Sequence, residues 1–324
     1  MQVQEQASLP SPAPANFWGS TPEEEFYAAA GVRNTKAFVD TPHGRLFTQS
    51  WLPAAESSSP RALVFFTHGY ASDTSWLFQS IPITFAQWGY TAFAADLLGH
   101  GQSGGLPGYI EDIQTTASAA LFFYKSVRNR PEYADLKKFL FGESMGGGLT
   151  FLMLLQDPHG WDGAIFSAPF FTVSDNARPS RLRLFAYGLF LGYAETWTVM
   201  PQSNIKGNVF HDPEKAKIVR MNPRRFQQPA RVGTMRQLMV LCDIFKKRCA
   251  EISTAFLVLH GTGDTCTSHE GSQMLYDKAN SSDKTIKLYD GLYHSLLQAE
   301  LKENSERVYM DIRAWIDART LAAQ

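Results

Sequence analysis

Short, uninterrupted apolar runs recur along this chain of 324 residues and constrain its fold more than any other feature. The runs are Ala62–Thr67, Thr91–Ala95, Lys138–Phe141, Gly163–Ser167, Ala255–His260 and Thr285–Tyr289. Strands that helices cover on both faces have this pattern, because the side chains on both faces are buried and polar residues therefore do not alternate with apolar ones. The runs therefore predict a parallel sheet. Two further runs, Ala37–Val39 and Arg45–Trp51, flank a turn at Thr41–Gly44 and predict a β-hairpin.

Longer segments of mixed polarity separate the runs and predict helices. They are Trp76–Trp88, Glu111–Val127, Met145–Gln156, Glu270–Ala279 and Glu300–Ala318. In the last segment Val308, Ile312 and Trp315 fall at i, i+4 and i+7, which gives a helix one apolar face. Strands that alternate with helices predict an α/β fold, with a mostly parallel central sheet and helices on both faces.

The alternation breaks over residues 171–235, which hold no comparable strand run. An insertion between two strands of such a sheet lies above their carboxyl ends, over the crevice where ligands bind. We therefore expect an inserted helical cap at 171–235 between core segments 17–170 and 236–320, with a disordered proline-rich tail at 1–16. Residues 171–236 hold eight Arg and three Lys against two Asp and two Glu, so this segment carries +7.

Composition excludes several classes of protein. With 44% hydrophobic and 19% charged residues the chain is expected to fold, and its net charge of -1 argues against nucleic-acid binding through a global basic field. The longest uncharged apolar stretch, Leu184–Ala194, is shorter than the about 20 residues of a membrane-spanning helix. Three cysteines and the absence of a secretory pattern near the N-terminus predict a cytoplasmic protein. Peripheral membrane contact through the basic cap is a further alternative.

The pattern Gly-x-Ser-x-Gly at Gly142–Gly146 lies between a predicted strand and a predicted helix. This context places Ser144 on a tight strand-to-helix turn, where glycines leave room for the neighbouring backbone. A serine hydroxyl is a poor nucleophile near neutral pH, and it needs a base to take its proton and a carboxylate to orient that base. Ser144 is therefore the candidate catalytic nucleophile.

The acid and the base are expected further along the chain, in the order serine, acid, histidine. His294 follows the last predicted strand, in the loop before the final helix, and is the candidate base. Asp264 follows the preceding predicted strand and is the candidate acid. Asp290 is the alternative acid, because it ends the strand next to His294, although it lies only four residues from that histidine.

The tetrahedral intermediate of acyl transfer needs backbone N–H donors directed at its oxyanion. We expect one donor from Met145, at the start of the helix after the nucleophile, where free N–H groups favour an anion. The second is expected from Tyr70, in the loop after the Ala62–Thr67 strand. His68 in the same loop is interpreted as a residue that fixes the loop rather than as a base.

No cofactor and no metal ion are expected. Neither a Walker loop nor a Gly-x-Gly-x-x-Gly dinucleotide pattern occurs in the sequence. His260, Asp264, Cys266 and His269 lie close together in sequence, but their spacing differs from that of closed zinc sites. Cys266 is interpreted as a buried, unreactive thiol rather than as a target for alkylation.

The chain resembles the α/β-hydrolase family of serine hydrolases, and within it the monoacylglycerol lipase-like branch. The resemblance runs from about residue 16 to residue 316 and rests on Asn16–Gly19, Pro22–Glu25, His68–Tyr70, Ser72–Trp76, Ala94–Gly101, Phe141–Gly147, Phe185–Gly188, Arg231–Arg236 and Tyr293–Leu296. It implies the same catalytic triad and oxyanion donors as those assigned above. Two departures bear on substrate preference: Ala71 stands where the family pattern has glycine, and the segment Asp264–Thr267 is one residue short.

The resemblance implies hydrolysis of a carboxylic ester, namely of caffeoyl shikimate to caffeate and shikimate in phenylpropanoid metabolism toward lignin. The alternative is hydrolysis of monoacylglycerols or lysophospholipids by the same chemistry. An acyltransferase, in which an alcohol resolves the acyl-enzyme, and a ligand receptor on the same fold are further alternatives. An arginine of the basic cap could bind the shikimate carboxylate, the same surface could approach an anionic membrane, or it could be a solvated helical face.

Overall fold

The computed structural model describes residues 16–54, 60–173, 194–198 and 209–321, and its strands form one mixed sheet. The strands are β1 (Val32–Thr41), β2 (Gly44–Pro53), β3 (Leu63–Thr67), β4 (Thr91–Ala95), β5 (Lys138–Glu143), β6 (Gly163–Ser167), β7 (Phe256–Gly261) and β8 (Lys284–Tyr289). Their order across the sheet is β1-β2-β4-β3-β5-β6-β7-β8. Strands β3 to β8 run parallel, whereas the hairpin β1-β2 joins β4 in antiparallel orientation. The predicted α/β fold is confirmed.

Helices cover both faces of the sheet, and one further helix, Pro213–Arg220, lies apart from it. They are α1 (Glu23–Ala29), α2 (Ser80–Gln87), α3 (Ile113–Arg128), α4 (Met145–Gln156), α5 (Pro213–Arg220), α6 (Val232–Arg248), α7 (His269–Lys278) and α8 (Lys302–Leu321). Three of them begin at a side-chain cap, since Asp112, Asp212 and Ser268 each accept a hydrogen bond from a free N–H of the first turn. Such caps stabilise a helix start by about 1 kcal/mol.

Successive residues of the buried strands point to opposite faces and so enter two separate cores. In β3, Leu63 and Phe65 pack with α3, α4 and α6, whereas Val64 and Phe66 pack with α1, α2 and α8. All four side chains are fully buried. Because burial of each phenylalanine contributes about 1.5–3 kcal/mol, the sheet is stabilised from both sides.

The apolar face predicted for the last helix is the face that α8 buries. Val308, Ile312 and Ile316 are fully buried and Trp315 is nearly so, all in the core to which α1 and α2 also contribute. Among the helices of the described ranges, none has the length and apolarity needed to cross a membrane.

Much of the predicted cap, 171–235, lies outside the described residues, as do most of the apolar stretch Leu184–Ala194 and the tail at 1–15. The described remainder includes α5 and the start of α6, which begins ahead of the predicted core boundary at 236. This remainder packs against the loop after β3, because the indole Nε1 of Trp76 donates to the carbonyl oxygen of Ile218 at 2.6 Å. The contact lies at the carboxyl end of the parallel strands.

Candidate active site

Ser144 lies on the sharp turn between β5 and α4. Its backbone φ of 57° places a non-glycine residue in the left-handed region, which stores strain at the turn. The turn is also tightly packed. A Cβ atom at Gly142 would lie 2.4 Å from the carbonyl oxygen of Gly146, and one at Gly146 would lie 2.1 Å from the carbonyl oxygen of Thr67. Both glycines are therefore required by the close approach of neighbouring backbone.

The imidazole of His294 lies between the Ser144 hydroxyl and the Asp264 carboxylate. His294 Nε2 is 2.9 Å from Ser144 Oγ, and His294 Nδ1 is 2.6 Å from Asp264 Oδ2. With the Nδ1 proton donated to the carboxylate, Nε2 is the acceptor for the serine hydroxyl. The structure thus joins these three residues of the sequence analysis in one hydrogen-bonded chain.

Asp290, the alternative acid, is directed elsewhere. Its Oδ1 accepts a hydrogen bond from Thr262 Oγ1 at 3.1 Å on the exposed side of the loop. The carboxylate at the His294 ring is that of Asp264.

The Asp264 carboxylate is held by several further donors. The backbone N–H groups of Cys266 and Thr267 donate to Oδ1 at 2.7 and 3.0 Å. Thr267 Oγ1 donates to Oδ2 at 2.7 Å, and His260 Nε2 lies 3.1 Å from the same oxygen. Sequence reasoning missed both Thr267 and His260, although their positions beside the acid on the same strand and loop were the available signal.

Electrostatics in this group favour an ionised acid. Burial acts to raise the pKa of Asp264, but the charge of His294 and hydrogen bonds from His260 and His294 outweigh burial and hold it well below its usual range. Burial lowers the pKa of His260, whose Nδ1 lies 2.7 Å from Ser272 Oγ. His260 is therefore a neutral donor. For His294 burial acts to lower the pKa, yet Asp264 and then Glu143 outweigh it and raise it.

The loop after β3, residues 68–76 and here called the oxyanion loop, passes directly beside the nucleophile. A Cβ atom at Gly69 would lie 3.2 Å from Ser144 Cβ. Within the described ranges no acceptor pairs with the backbone N–H of Tyr70, next to Gly69, or with that of Met145, the first residue of α4. Both N–H groups therefore belong to backbone at the nucleophile and can serve a ligand.

Two buried side chains fix the oxyanion loop to the loop after β4. His68 Nε2 accepts a hydrogen bond from the Leu97 N–H at 3.0 Å, and its Nδ1 lies 2.8 Å from the Gly69 carbonyl oxygen. Asp96 Oδ1 accepts from both the N–H and the Oγ1 of Thr74, each at 2.7 Å. Since both of its nitrogens are engaged, His68 fixes the loop, as the sequence indicated.

Glu143, the residue before the nucleophile, was not singled out from the sequence. Its carboxylate is buried and accepts a hydrogen bond from Gln298, in the loop that carries His294. Burial raises the pKa of Glu143 to about 7, although His294 and Gln298 act to lower it. A carboxylate at the end of an otherwise apolar strand was the signal in the sequence.

Across the part of the chain that the structure describes, no three His, Cys, Asp or Glu side chains are arranged to hold a metal ion. Burial, with the Asp264 charge, raises the pKa of the Cys266 thiol to about 12. Because the thiolate is the reactive form of cysteine, this thiol is a poor nucleophile at neutral pH.

A mostly parallel sheet whose strand ends bring together serine, histidine and aspartate defines an α/β-hydrolase of the serine hydrolase class. Comparison with known families agrees. The profile of the family described as "Serine aminopeptidase, S33" matches residues 58–302, well over half of the chain. The chain belongs to this family.

Individual relatives narrow the comparison. The chain is 48% identical to the caffeoylshikimate esterase of Arabidopsis thaliana over 305 residues. This alignment covers 94% of this chain and 91% of that protein. It is 27% identical to the monoglyceride lipase of Homo sapiens over 282 residues, 86% of this chain and 88% of that one. A soluble variant of monoglyceride lipase from Saccharomyces cerevisiae, solved with a substrate analog, superposes with a TM-score of 0.76 at 18% identity, covering 89% of this chain and 95% of that one. At that identity the likeness concerns the fold.

Proposed function

We propose that the protein is a serine esterase that hydrolyses caffeoyl shikimate to caffeate and shikimate. The observation that carries the reaction type is the hydrogen-bonded chain from Ser144 Oγ through His294 to Asp264. The 48% identity to the Arabidopsis thaliana caffeoylshikimate esterase, over nearly all of both chains, supports the substrate. On this proposal the enzyme serves phenylpropanoid metabolism and supplies caffeate toward lignin.

Acylation begins when Ser144 Oγ attacks the ester carbonyl carbon and its proton passes to His294 Nε2. The carbonyl electrons move onto the oxygen, and the N–H groups of Tyr70 and Met145 stabilise the resulting oxyanion. Asp264 stabilises the imidazolium that forms. The intermediate collapses by breaking the bond to the shikimate oxygen, which takes the proton from His294.

Deacylation repeats these steps with water. His294 Nε2 takes a proton from the water, whose oxygen attacks the caffeoyl carbonyl carbon of the acyl-enzyme. The second tetrahedral intermediate uses the same two N–H donors. Its collapse breaks the bond to Ser144 Oγ, which regains a proton from His294, and caffeate leaves.

Hydrolysis of monoacylglycerols is the second candidate, supported by the identity to the Homo sapiens monoglyceride lipase. The same triad would perform it, so only substrate preference separates the two. The lower identity, 27% against 48%, makes it the weaker proposal.

The deciding experiment compares kcat/KM on caffeoyl shikimate, on a monoacylglycerol and on an aminoacyl anilide, the last because the family is described as a serine aminopeptidase. Ser144→Ala is the inactive control. We expect release of caffeate and shikimate at a rate at least tenfold above the other two, and background rates for the variant on all three. Turnover of monoacylglycerol without caffeate release would replace the substrate. A caffeoyl ester formed with an added alcohol would indicate an acyltransferase, and Ser144→Ala with intact biological activity would indicate a receptor.

We also propose a cytoplasmic location. The three cysteines, all within the described ranges, form no disulfide, as is usual for proteins of a reducing compartment. Imaging of a tagged protein, with fractionation to detect peripheral membrane attachment through the cap, tests the location.

A further inference from the structure

The part of the chain that follows α5 lies directly over the oxyanion loop. Asn222 Nδ2 donates to Asp73 Oδ2 at 2.6 Å, a contact buried on both sides. Four residues further on, the ring of Phe226 lies against that of Tyr70, with centroids 6.5 Å apart. Two successive contacts thus fix residues 222–226 above the loop that passes Ser144.

Arg225 lies between these two contacts, with its side chain half-buried. Burial lowers the pKa of its guanidinium, the negative charge of Asp73 acts to raise it, and the positive charge of Arg220 lowers it further. Because Asn222 contacts Asp73 and Phe226 lies against Tyr70, Arg225 lies between these contacts, on the side of the oxyanion loop that α5 and its following segment cover.

The Arg225 guanidinium has no hydrogen bond or ion pair with any residue of the described ranges. Its acidic neighbour is already satisfied, because Asp73 Oδ1 accepts from the Ser75 N–H at 2.8 Å and Oδ2 accepts from Asn222. Arg231 differs, since it donates to the carbonyl oxygens of Pro107 and Thr196. Arg225 is thus a half-buried cation whose donors, as far as the described ranges show, are available to a ligand.

A half-buried charge that has no partner among the described residues is stabilised further by a ligand of opposite charge than a fully hydrated one would be. The planar fork of an arginine matches a carboxylate in a bidentate geometry. In caffeoyl shikimate the acyl half is uncharged at neutral pH, and the carboxylate belongs to the shikimate half. A monoacylglycerol carries no charge.

We propose that Arg225 binds the carboxylate of the alcohol half of the substrate beside the oxyanion loop and so selects an anionic ester over a neutral one. This inference rests on the proposed function, because it identifies how that substrate is recognised. It makes Arg225 a specificity-determining residue and leaves the chemistry to the triad.

The test uses Arg225→Gln, Arg225→Lys and the control Arg220→Gln, an exposed arginine of the same charge close by. KM and kcat are measured on caffeoyl shikimate and on its methyl ester, in which the shikimate carboxylate is neutralised. For Arg225→Gln we expect KM for the free acid to rise about 10- to 100-fold, the loss of a charge-assisted hydrogen bond. The methyl ester should be unaffected, Arg225→Lys should be intermediate, and Arg220→Gln should change neither substrate by more than about twofold, as expected of a screened surface charge.

Two results would overturn the subsite. One is an equal loss on the acid and the methyl ester in Arg225→Gln and Arg225→Lys, which would show a packing role. The other is an equal effect of Arg220→Gln, which would show a general electrostatic field.

A second measurement separates this inference from the proposed function. Shikimate is tested as an inhibitor of 4-nitrophenyl acetate hydrolysis, a reaction that does not require caffeoyl shikimate to be the substrate. Weaker inhibition of Arg225→Gln, but not of Arg220→Gln, supports the subsite even if no caffeate is released from caffeoyl shikimate. Inhibition of equal strength in all forms, or none in the wild type, overturns it.

Discussion

The Asp264 carboxylate is the most heavily hydrogen-bonded group of the site. Thr267 binds it through both the backbone N–H and the hydroxyl, and His260 binds the oxygen that also receives His294. These contacts fix the carboxylate before any substrate arrives, so that His294 is held in one orientation and one tautomer.

We expect Asp264→Asn to lower kcat by about 10⁴, as the equivalent change does in serine proteases, because an amide favours the wrong tautomer of the histidine. Asp290→Asn, which alters an exposed contact with Thr262, is the matched control and should keep the wild-type rate. Steady-state kinetics with a soluble reporter ester, beside thermal unfolding of both variants, checks the prediction. A near-normal rate for Asp264→Asn would assign the acid elsewhere.

Glu143 links the site to the pH dependence of folding. Burial raises its pKa from 4.5 to about 7, so the folded chain keeps a proton that the unfolded chain loses above about pH 4.5. Its contribution to the free energy of unfolding is therefore complete below pH 4.5 and disappears as the pH rises through 7.

Glu143→Gln removes this titration and keeps an oxygen that can accept from Gln298. Between pH 5 and pH 8 we expect the wild type to lose up to about 3 kcal/mol of unfolding free energy relative to the variant. Urea unfolding at both pH values gives this difference directly. Asp96, whose burial also raises its pKa to about 7, titrates equally in both proteins, so its effect cancels in the comparison. Parallel pH curves for the two proteins would rule out the prediction.

At the scale of elements, the bounds of the strands buried on both faces were predicted well, whereas the hairpin was predicted at the right place but with its first strand too short. The bounds of β4 and β6 agree with their apolar runs, since their residues are buried on both faces. The hairpin strand β1 extends well beyond the predicted Ala37–Val39, because Arg33, Lys36 and Asp40 are exposed and interrupt any apolar run. Hydrophobicity reports burial, and a strand with one open side gives a weak signal.

The turn that carries the nucleophile tests how an element positions a residue. A methyl group at Gly146 would overlap the Thr67 carbonyl oxygen of β3. Because that oxygen belongs to the backbone of a central strand, α4 would have to shift to relieve the overlap. We expect Gly146→Ala to destabilise the protein by about 3 kcal/mol, the upper end of overpacking, and to lower kcat because Ser144 and Met145 shift with α4. Unfolding midpoints and reporter-ester kinetics measure both effects.

Gly104→Ala is the control for this substitution. The nearest atom to a Cβ there is the Arg45 carbonyl oxygen at 3.4 Å, an ordinary contact. It should change neither stability nor rate appreciably. A wild-type rate in Gly146→Ala would show that the turn tolerates a displaced α4.

At the scale of the whole molecule, the triad followed from chain order, whereas its surroundings depend on how distant strands pack. Ser144, Asp264 and His294 each follow a strand, and parallel strands end at one edge of the sheet. Other contacts join segments that are far apart in sequence. Examples are the hydrogen bond between Glu143 and Gln298 and the contact that holds the segment of Arg225 over the oxyanion loop. No periodicity of the sequence encodes such contacts.

The whole fold is expected to be indifferent to reducing agents. Cys242, Cys249 and Cys266 form no disulfide, so no cross-link restricts the unfolded chain. The thermal unfolding midpoint should be the same with and without dithiothreitol. A midpoint lowered by the reductant would show that a disulfide forms in the purified protein.

The position of the hairpin at one end of the sheet has a further consequence, for how copies of the protein meet. Strand β1, ten residues long, pairs only with β2 among the described strands, and β8 ends the other side. An unpaired edge is a template for a strand of a second molecule. Exposed charged side chains lie on both edge strands, namely Arg33 and Lys36 on β1 and Lys287 on β8. A strand that docked on either edge would have to pack against these charges. The charged residues that made the predicted run of β1 too short thus protect the folded protein from edge-to-edge aggregation.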